Sequence, residues 1–259
     1  MPKTNGKWAI YEQLIAGIPE QSVIEDCLVG LRWILVRSGG VGMALTPPEG
    51  DRRAAWSGPF TGRPTREVAC LAKSWNPLEA AVGVAALNSH YNAPAVFSRT
   101  WETSLDDQPH GNAFEHYRDR LKNKKVAVIG HFPGLEDLAS QCELSILERR
   151  PGLGDLPDPA AEYILPLQDA VFITATTLIN KTLPRLLELS SGRFCVLVGP
   201  STPLTPALFD FGVKALAGTV VVDEAKVWRH VAEGGERSVF ANGARMVKCE
   251  PTMMRAHQG

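Results

Sequence analysis

Apolar and polar positions alternate in blocks through the second half of the chain. Short runs rich in Val, Ile and Leu fall at 125–129, 143–147, 170–174, 194–198 and 218–222. Segments with helical spacing lie between them, at 134–141, 158–165, 181–190, 204–210 and 225–233. Strand runs that are apolar on both faces, separated by helices, predict a parallel sheet with right-handed crossovers. A last apolar run near Arg245–Glu250 adds an edge strand. The first half has a different pattern. Tyr11, Leu14, Ile15 and Ile18 mark a helix in "WAIYEQLIAGI". Two apolar runs flank Ser38-Gly39-Gly40, which predicts a β-hairpin. Residues 47–66 are polar and rich in Pro and Gly, and predict a loop. "NPLEAAVGVAALN" (76–88) predicts a helix with Asn76 as N-cap, Pro77 at the first position and one apolar face of Leu78, Ala81, Val82, Ala85 and Ala86.

Residues 99–123 read as a connector, polar at first and then with the pattern of a short helix. The expected architecture is therefore α/β. A smaller α+β domain over 1–105 precedes a Rossmann-like domain over 106–259, whose mostly parallel sheet carries helices on both faces. Composition then narrows the function. The 259 residues carry 27 Lys+Arg against 28 Asp+Glu, a net charge of −1. That balance offers no electrostatic case for nucleic acid or an acidic membrane. The N-terminus has no apolar core of signal-peptide length, and no apolar run reaches membrane-spanning length. A cytoplasmic protein is expected, with a homodimer left open. The five cysteines are scattered and never form C-x-x-C, which argues against a disulfide framework or a structural zinc site. His110 and His116 are six apart, a poor fit to one helical face, so no direct metal site is assigned.

In open parallel sheets, ligands bind outside the carboxyl ends of the strands. The loop after the first parallel strand reads Gly130-His131-Phe132-Pro133 where a dinucleotide fingerprint would read G-x-G-x-x-G. Phe132 and Pro133 crowd the place where a pyrophosphate would approach, so NAD is disfavoured. His131 is a candidate acid–base group. Glu148 ends the second strand, 18 residues past Gly130, where Rossmann proteins hold a ribose hydroxyl. Asp155 follows in a Gly/Pro-rich turn that explains it equally well. Thr176, Thr177 and Asn180 cluster with Thr174 after the third strand. Gly199, Ser201 and Thr202 follow the fourth, ahead of an expected helix N-terminus suited to an oxyanion.

These segments resemble a known family. "VIGHFPGLEDL", "ERRPGLGDLPDPAAEYILPLQDAVFITATTLINKTL" and "VGPSTPLTPALFDFGVKALAG" resemble the Rossmann-like domain of the heavy-metal chelation family, a domain of unknown function. "GVGMALTP" and "NPLEAAVGVAALNS" resemble its enolase N-terminal-like companion domain. The resemblance implies a cleft between the two domains and a small heterocyclic or metal-chelating ligand that is flavin-, pterin- or siderophore-like. Carried onto this sequence, it marks His131, Glu148, Thr176, Thr177, Asn180, Ser201 and Thr202, with Glu79 and Asn88 from the smaller domain. The leading reading makes His131 the acid–base group, within reach of an acid such as Glu79. Two alternatives stand beside it: a non-catalytic protein that binds a metal chelate, and an enzyme using a nucleoside cofactor such as S-adenosylmethionine.

Overall fold

A computed structural model describes residues 6–48, 59–109 and 111–253. It contains two sheets. The smaller is an antiparallel meander of β1 (Asp26–Val29), β2 (Trp33–Arg37) and β3 (Val41–Leu45), in the order β1-β2-β3. The larger is built from β4 (Lys125–Ile129), β5 (Glu143–Glu148), β6 (Leu156–Pro157), β7 (Ala170–Thr174), β8 (Phe194–Val198), β9 (Ala215–Val221) and β10 (Ala244–Cys249). Its order is β10-β9-β8-β7-β4-β5-β6. All neighbours are parallel except β10, which closes the β9 edge antiparallel. Strand order reverses between β4 and β7, so a Rossmann-type switch point lies at Gly130 and Thr174.

The described α-helices are α1 (Ala9–Ala16), α2 (Thr65–Ala69), α3 (Pro77–Tyr91), α4 (Pro94–Trp101), α5 (Ala113–His116), α6 (Arg118–Leu121), α7 (Leu135–Ala139), α8 (Ala161–Ile164), α9 (Thr177–Asn180), α10 (Leu183–Leu189) and α11 (Glu224–Ala232). None is long and apolar enough to cross a membrane. The hairpin, the first four expected parallel strands and α3 form where the sequence pattern puts them. Asn76 caps α3, its carboxamide oxygen accepting from the N–H groups of Leu78 (2.9 Å) and Glu79 (3.3 Å).

Three expectations change. The segment 204–210 is a 3-10 helix over Pro206–Phe211, after a buried, non-helical stretch from Ser201 to Thr205. Pro203 and Pro206 explain this: each removes a backbone donor, and the residue before a proline is pushed out of the α region. The fifth parallel strand starts earlier than expected, at Ala215. The described end of the 47–66 loop runs into α2.

Helix α3 is the main surprise. Its sequence suggests one apolar face, yet every residue from Glu79 to Ser89 is buried, so it is enclosed on all sides. A Cβ on Gly83 would lie 2.0 Å from the Ala72 nitrogen. One on Gly42 of β3 would lie 2.1 Å from both the Ala85 oxygen and the Ser89 nitrogen. Glycine is needed at both positions because backbone meets backbone there. On its far side α3 packs against α9.

A single apolar core runs through both halves. Ile10, Leu14, Val84 and Leu87 share it with Ile129, Ile173, Leu197 and Leu216. The opposite face of the large sheet is covered separately by Phe114, Tyr117 and Leu121 from α5 and α6 and by Leu135 and Leu138 from α7. Buried polar bonds cross between the halves. The Tyr11 hydroxyl donates to the Leu178 carbonyl at 2.9 Å. Asn92 Nδ2 donates to the carbonyls of Thr202 (2.9 Å) and Thr219 (3.0 Å), and its Oδ1 accepts from Leu204 N–H at 2.9 Å. The core does not divide at the connector.

In an exposed helix, Gly→Ala stabilises by about 1 kcal/mol. At Gly83 the sign reverses, because the methyl would overlap the turn at Ala72. Gly83→Ala is expected to destabilise by roughly 2–3 kcal/mol, read as a lower urea midpoint with an unchanged slope.

Candidate functional site

The site grows from the turn that ends β4. Gly130 has φ +99°, a left-handed conformation that glycine tolerates best, and it turns the chain sharply outward. The next residue, His131, is fixed twice. Its backbone N–H donates to Glu148 Oε2 at 3.0 Å. Its ring Nδ1 lies 3.1 and 3.0 Å from the two carboxylate oxygens of Asp155. The Asp155 side chain is only 3% exposed, whereas that of His131 is 49% exposed.

The turn after β5 presents Asp155. Gly152 N–H donates to Asp155 Oδ2 at 2.9 Å, and Asp155 N–H donates to the Gly152 carbonyl at 3.2 Å. Burial alone would raise the Asp155 pKa. The Gly152 N–H and the His131 ring outweigh it and hold the carboxyl below its usual range. An ionised carboxylate only accepts, so Nδ1 carries the imidazole proton. In the neutral ring, that leaves the Nε2 lone pair without a hydrogen-bond partner among the described residues. This is how a carboxylate sets up a histidine for proton transfer.

Each expected site residue has a definite place. Glu148 does not offer its carboxylate to a ribose. One oxygen takes the His131 N–H, and the other takes those of Arg149 (2.7 Å) and Arg150 (3.3 Å). Phe132 is half-buried, packed edge-on against Phe114 with centroids 5.5 Å apart. Its ring atoms lie 3.4 and 3.9 Å from where Cβ atoms on Gly130 and Gly199 would stand. The ring therefore occupies the strand-end space that a pyrophosphate needs. Pro133 is exposed beside it. Thr174, at the end of β7, lies 3.2 Å from where a Cβ on Gly130 would stand, and its hydroxyl is 3.0 Å from that of Thr176.

The other candidates have internal partners. Thr177 is buried and donates to the Thr174 carbonyl at 2.6 Å. Asn180 Oδ1 accepts from the N–H and hydroxyl of Thr182. Ser201 is buried, and its hydroxyl oxygen accepts from Leu45 N–H at 3.0 Å, joining the hairpin to the loop after β8. Thr202 is fully buried and turned to the Ala217 carbonyl. The expected oxyanion cradle at Gly199–Thr202 is thus mostly a seam between the halves, since no α-helix starts there. Asn88 is fully buried and donates to the Met43 carbonyl at 2.8 Å, tying α3 to β3. Glu79 is buried at the start of α3 and accepts from Ser74 at 2.6 Å. The acid on the His131 ring is Asp155, in the role the sequence reading offered to Glu79. His110 lies outside the described residues.

One group escaped the sequence reading. Lys181 ends α9 at φ +66° and donates to the Ile179 carbonyl at 2.7 Å. Burial pushes its amine down to about 8. A lysine at a helix end looks solvent-exposed in sequence, and nothing in the pattern announces this burial. Cys195 and Cys249 are buried, Cys27 and Cys142 half-buried and Cys70 exposed; burial pushes the thiols of Cys27 and Cys195 up to about 12.

A carboxyl group whose pKa is depressed by folding stabilises the folded state above its unfolded value, near 4. That contribution is lost as pH falls through the lower folded value. Asp155→Asn is therefore expected to cost on the order of 1 kcal/mol at neutral pH. The gap from the unsubstituted protein should shrink as pH falls below about 4. Urea unfolding of both proteins between about pH 2 and 7 tests this, and a gap constant over that range contradicts it.

Comparison with known proteins agrees with this architecture. Two family models carrying the description "Putative heavy-metal chelation" match residues 112–249 (DUF364) and 11–91 (DUF4213). A crystal structure of a DUF364-family protein of unknown function from Desulfitobacterium hafniense superposes with a TM-score of 0.84 at 39% identity, covering 96% of this chain and 99% of that one. A second, from Pyrococcus horikoshii, shares the fold with a TM-score of 0.75 at 24% identity, over 93% and 98% of the two chains. An uncharacterized protein from Methanocaldococcus jannaschii, MJ0500, is 29% identical over 188 residues, 70% of this chain and 69% of that protein. A switch-point sheet fused to an α3-centred hairpin domain, matched by both models along most of its length, belongs to the family described as "Putative heavy-metal chelation".

Proposed function

We propose that this protein binds and acts on a small heterocyclic or metal-chelating molecule, flavin-, pterin- or siderophore-like, in a role tied to heavy-metal chelation. The ligand would lie across the carboxyl ends of β4, β7 and β8, toward the cleft where the hairpin meets the loop after β8. His131 is the general acid–base group and Asp155 its positioning residue. The observation that carries the reading is the covered Asp155 carboxylate on Nδ1 of a half-exposed histidine. A protein that only stores a chelate needs a shaped polar pocket. A half-exposed imidazole oriented by a carboxylate suits proton transfer to a bound molecule.

The donor chemistry favours a chelate over a bare ion. Among the described residues, no three His, Cys, Asp or Glu side chains gather as a metal-binding group. In this reading the metal arrives with organic ligands of its own. A nucleoside cofactor such as S-adenosylmethionine draws support from the strand order, but Glu148 is already committed to backbone N–H groups. The dinucleotide path is taken by Phe132.

Native mass spectrometry of gently purified protein, against its denatured mass, is the first test. An added non-covalent mass matching a heterocycle or metal chelate is expected. A stoichiometric metal that survives chelator dialysis with no organic mass would overturn the proposal. Once the molecule is identified, His131→Ala should lower its turnover by about 10²–10⁴-fold, and Asp155→Asn by a smaller factor. Unchanged turnover in His131→Ala would remove His131 from its role.

A further inference from the structure

A second concavity lies at the opposite end of the large sheet. It encloses about 370 Å³, within the range of small-ligand sites. Phe194, the first residue of β8, lines it, and so does Lys214, immediately before β9. It is therefore at the amino ends of the strands, away from His131. Three cations line it, Arg120, Arg193 and Lys214, against one carboxylate, Glu250.

The cations are held in place but poorly neutralised. The Arg120 guanidinium stands 3.5 Å from the centroid of the Phe194 ring. Its contact with Glu250 is a loose 4.0 Å. Arg193 donates to the Pro166 carbonyl, and its buried Nε has no acceptor. Among the described residues, no carboxylate forms an ion pair with Arg193 or Lys214. Like charges gathered without counter-ions repel one another. Here two of the three are also fixed by stacking or by a backbone carbonyl, so an anion would meet donors already in position.

We propose that this concavity is a second ligand site, for a small polyanion bearing two or more phosphoryl or carboxyl groups. The Arg120 guanidinium presents paired N–H donors that match one oxyanion group, and Arg193 adds the terminal N–H groups that its bond to the Pro166 carbonyl leaves free. Lys214 adds a mobile point charge for a further group. The face of Arg120 turned away from Phe194 can also carry a flat ring.

The test uses the full chain, with tripolyphosphate and citrate as probes at constant ionic strength. Calorimetric binding and a rise in Tm are expected for at least one of them. The tighter probe identifies the favoured oxyanion, phosphoryl or carboxyl. Arg120→Gln combined with Lys214→Gln should weaken that binding at least tenfold. Both side chains are exposed, and Lys214→Gln alone gives a fully folded check with an expected loss of several-fold. His131→Ala should bind the probe like the unsubstituted protein, which separates this site from the crest. No binding of either probe at millimolar concentration would overturn the proposal. So would equal binding by the double variant.

Discussion

The structure depends on one close approach. Backbone of the small sheet and of the 70–73 turn reaches the backbone of α3 because residues 42 and 83 have no side chain. With α3 enclosed this way, burial does not favour one stripe of the helix, which is why alanine dominates its sequence. Small side chains give up area per residue but let three layers meet around a single helix. The packing of the whole molecule follows: the hairpin on one side, α9 and the parallel sheet on the other, and a core with no break between halves.

That fusion positions the crest. Asn92, just past the end of α3, bonds to Thr202, Leu204 and Thr219 with both ends of its amide. Ser201 accepts from Leu45 at the end of the hairpin. The loop after β8 is thus gripped from the smaller half, while the loop after β4 is gripped by Glu148 and Asp155 from the sheet's other side. Neither loop relies on a long helix N-terminus for its order. The crest between them is held by these paired amide and carboxylate groups.

Much of this was legible in the sequence, for physical reasons that differ by element. The strands β4, β7 and β8 are apolar on both faces, a pattern few other environments produce. Asn76-Pro77 announces the start of α3 by local chemistry alone. What stayed hidden depends on distant partners. Nothing local tells Thr202 that it will sit against Ala217, or Asn88 that its amide will meet Met43. Both read as polar residues at element ends, where ligand contact and internal pairing look alike. Asp155 was legible as a residue of interest, but its role was not. A Gly/Pro-rich turn explains an aspartate without any histidine, and the pairing with His131 spans 24 residues.

Phe132 shows how the same strand order can serve different chemistry. In a dinucleotide site the first turn stays bare so that phosphate reaches the backbone and the following helix. Here α7 is five residues long, and the ring stands between Gly130 and Gly199. The ring leaves the turn less open to a diphosphate. In exchange, the chain places an imidazole one residue earlier, at the lip of the same crevice, and orients it with a carboxylate from the neighbouring strand's loop. Binding by backbone dipoles has given way to a pair of titratable side chains. On the proposed function, such a crest would discriminate by proton chemistry and ring stacking, and its ligands would carry ionisable ring or chelating groups in place of a bridging diphosphate.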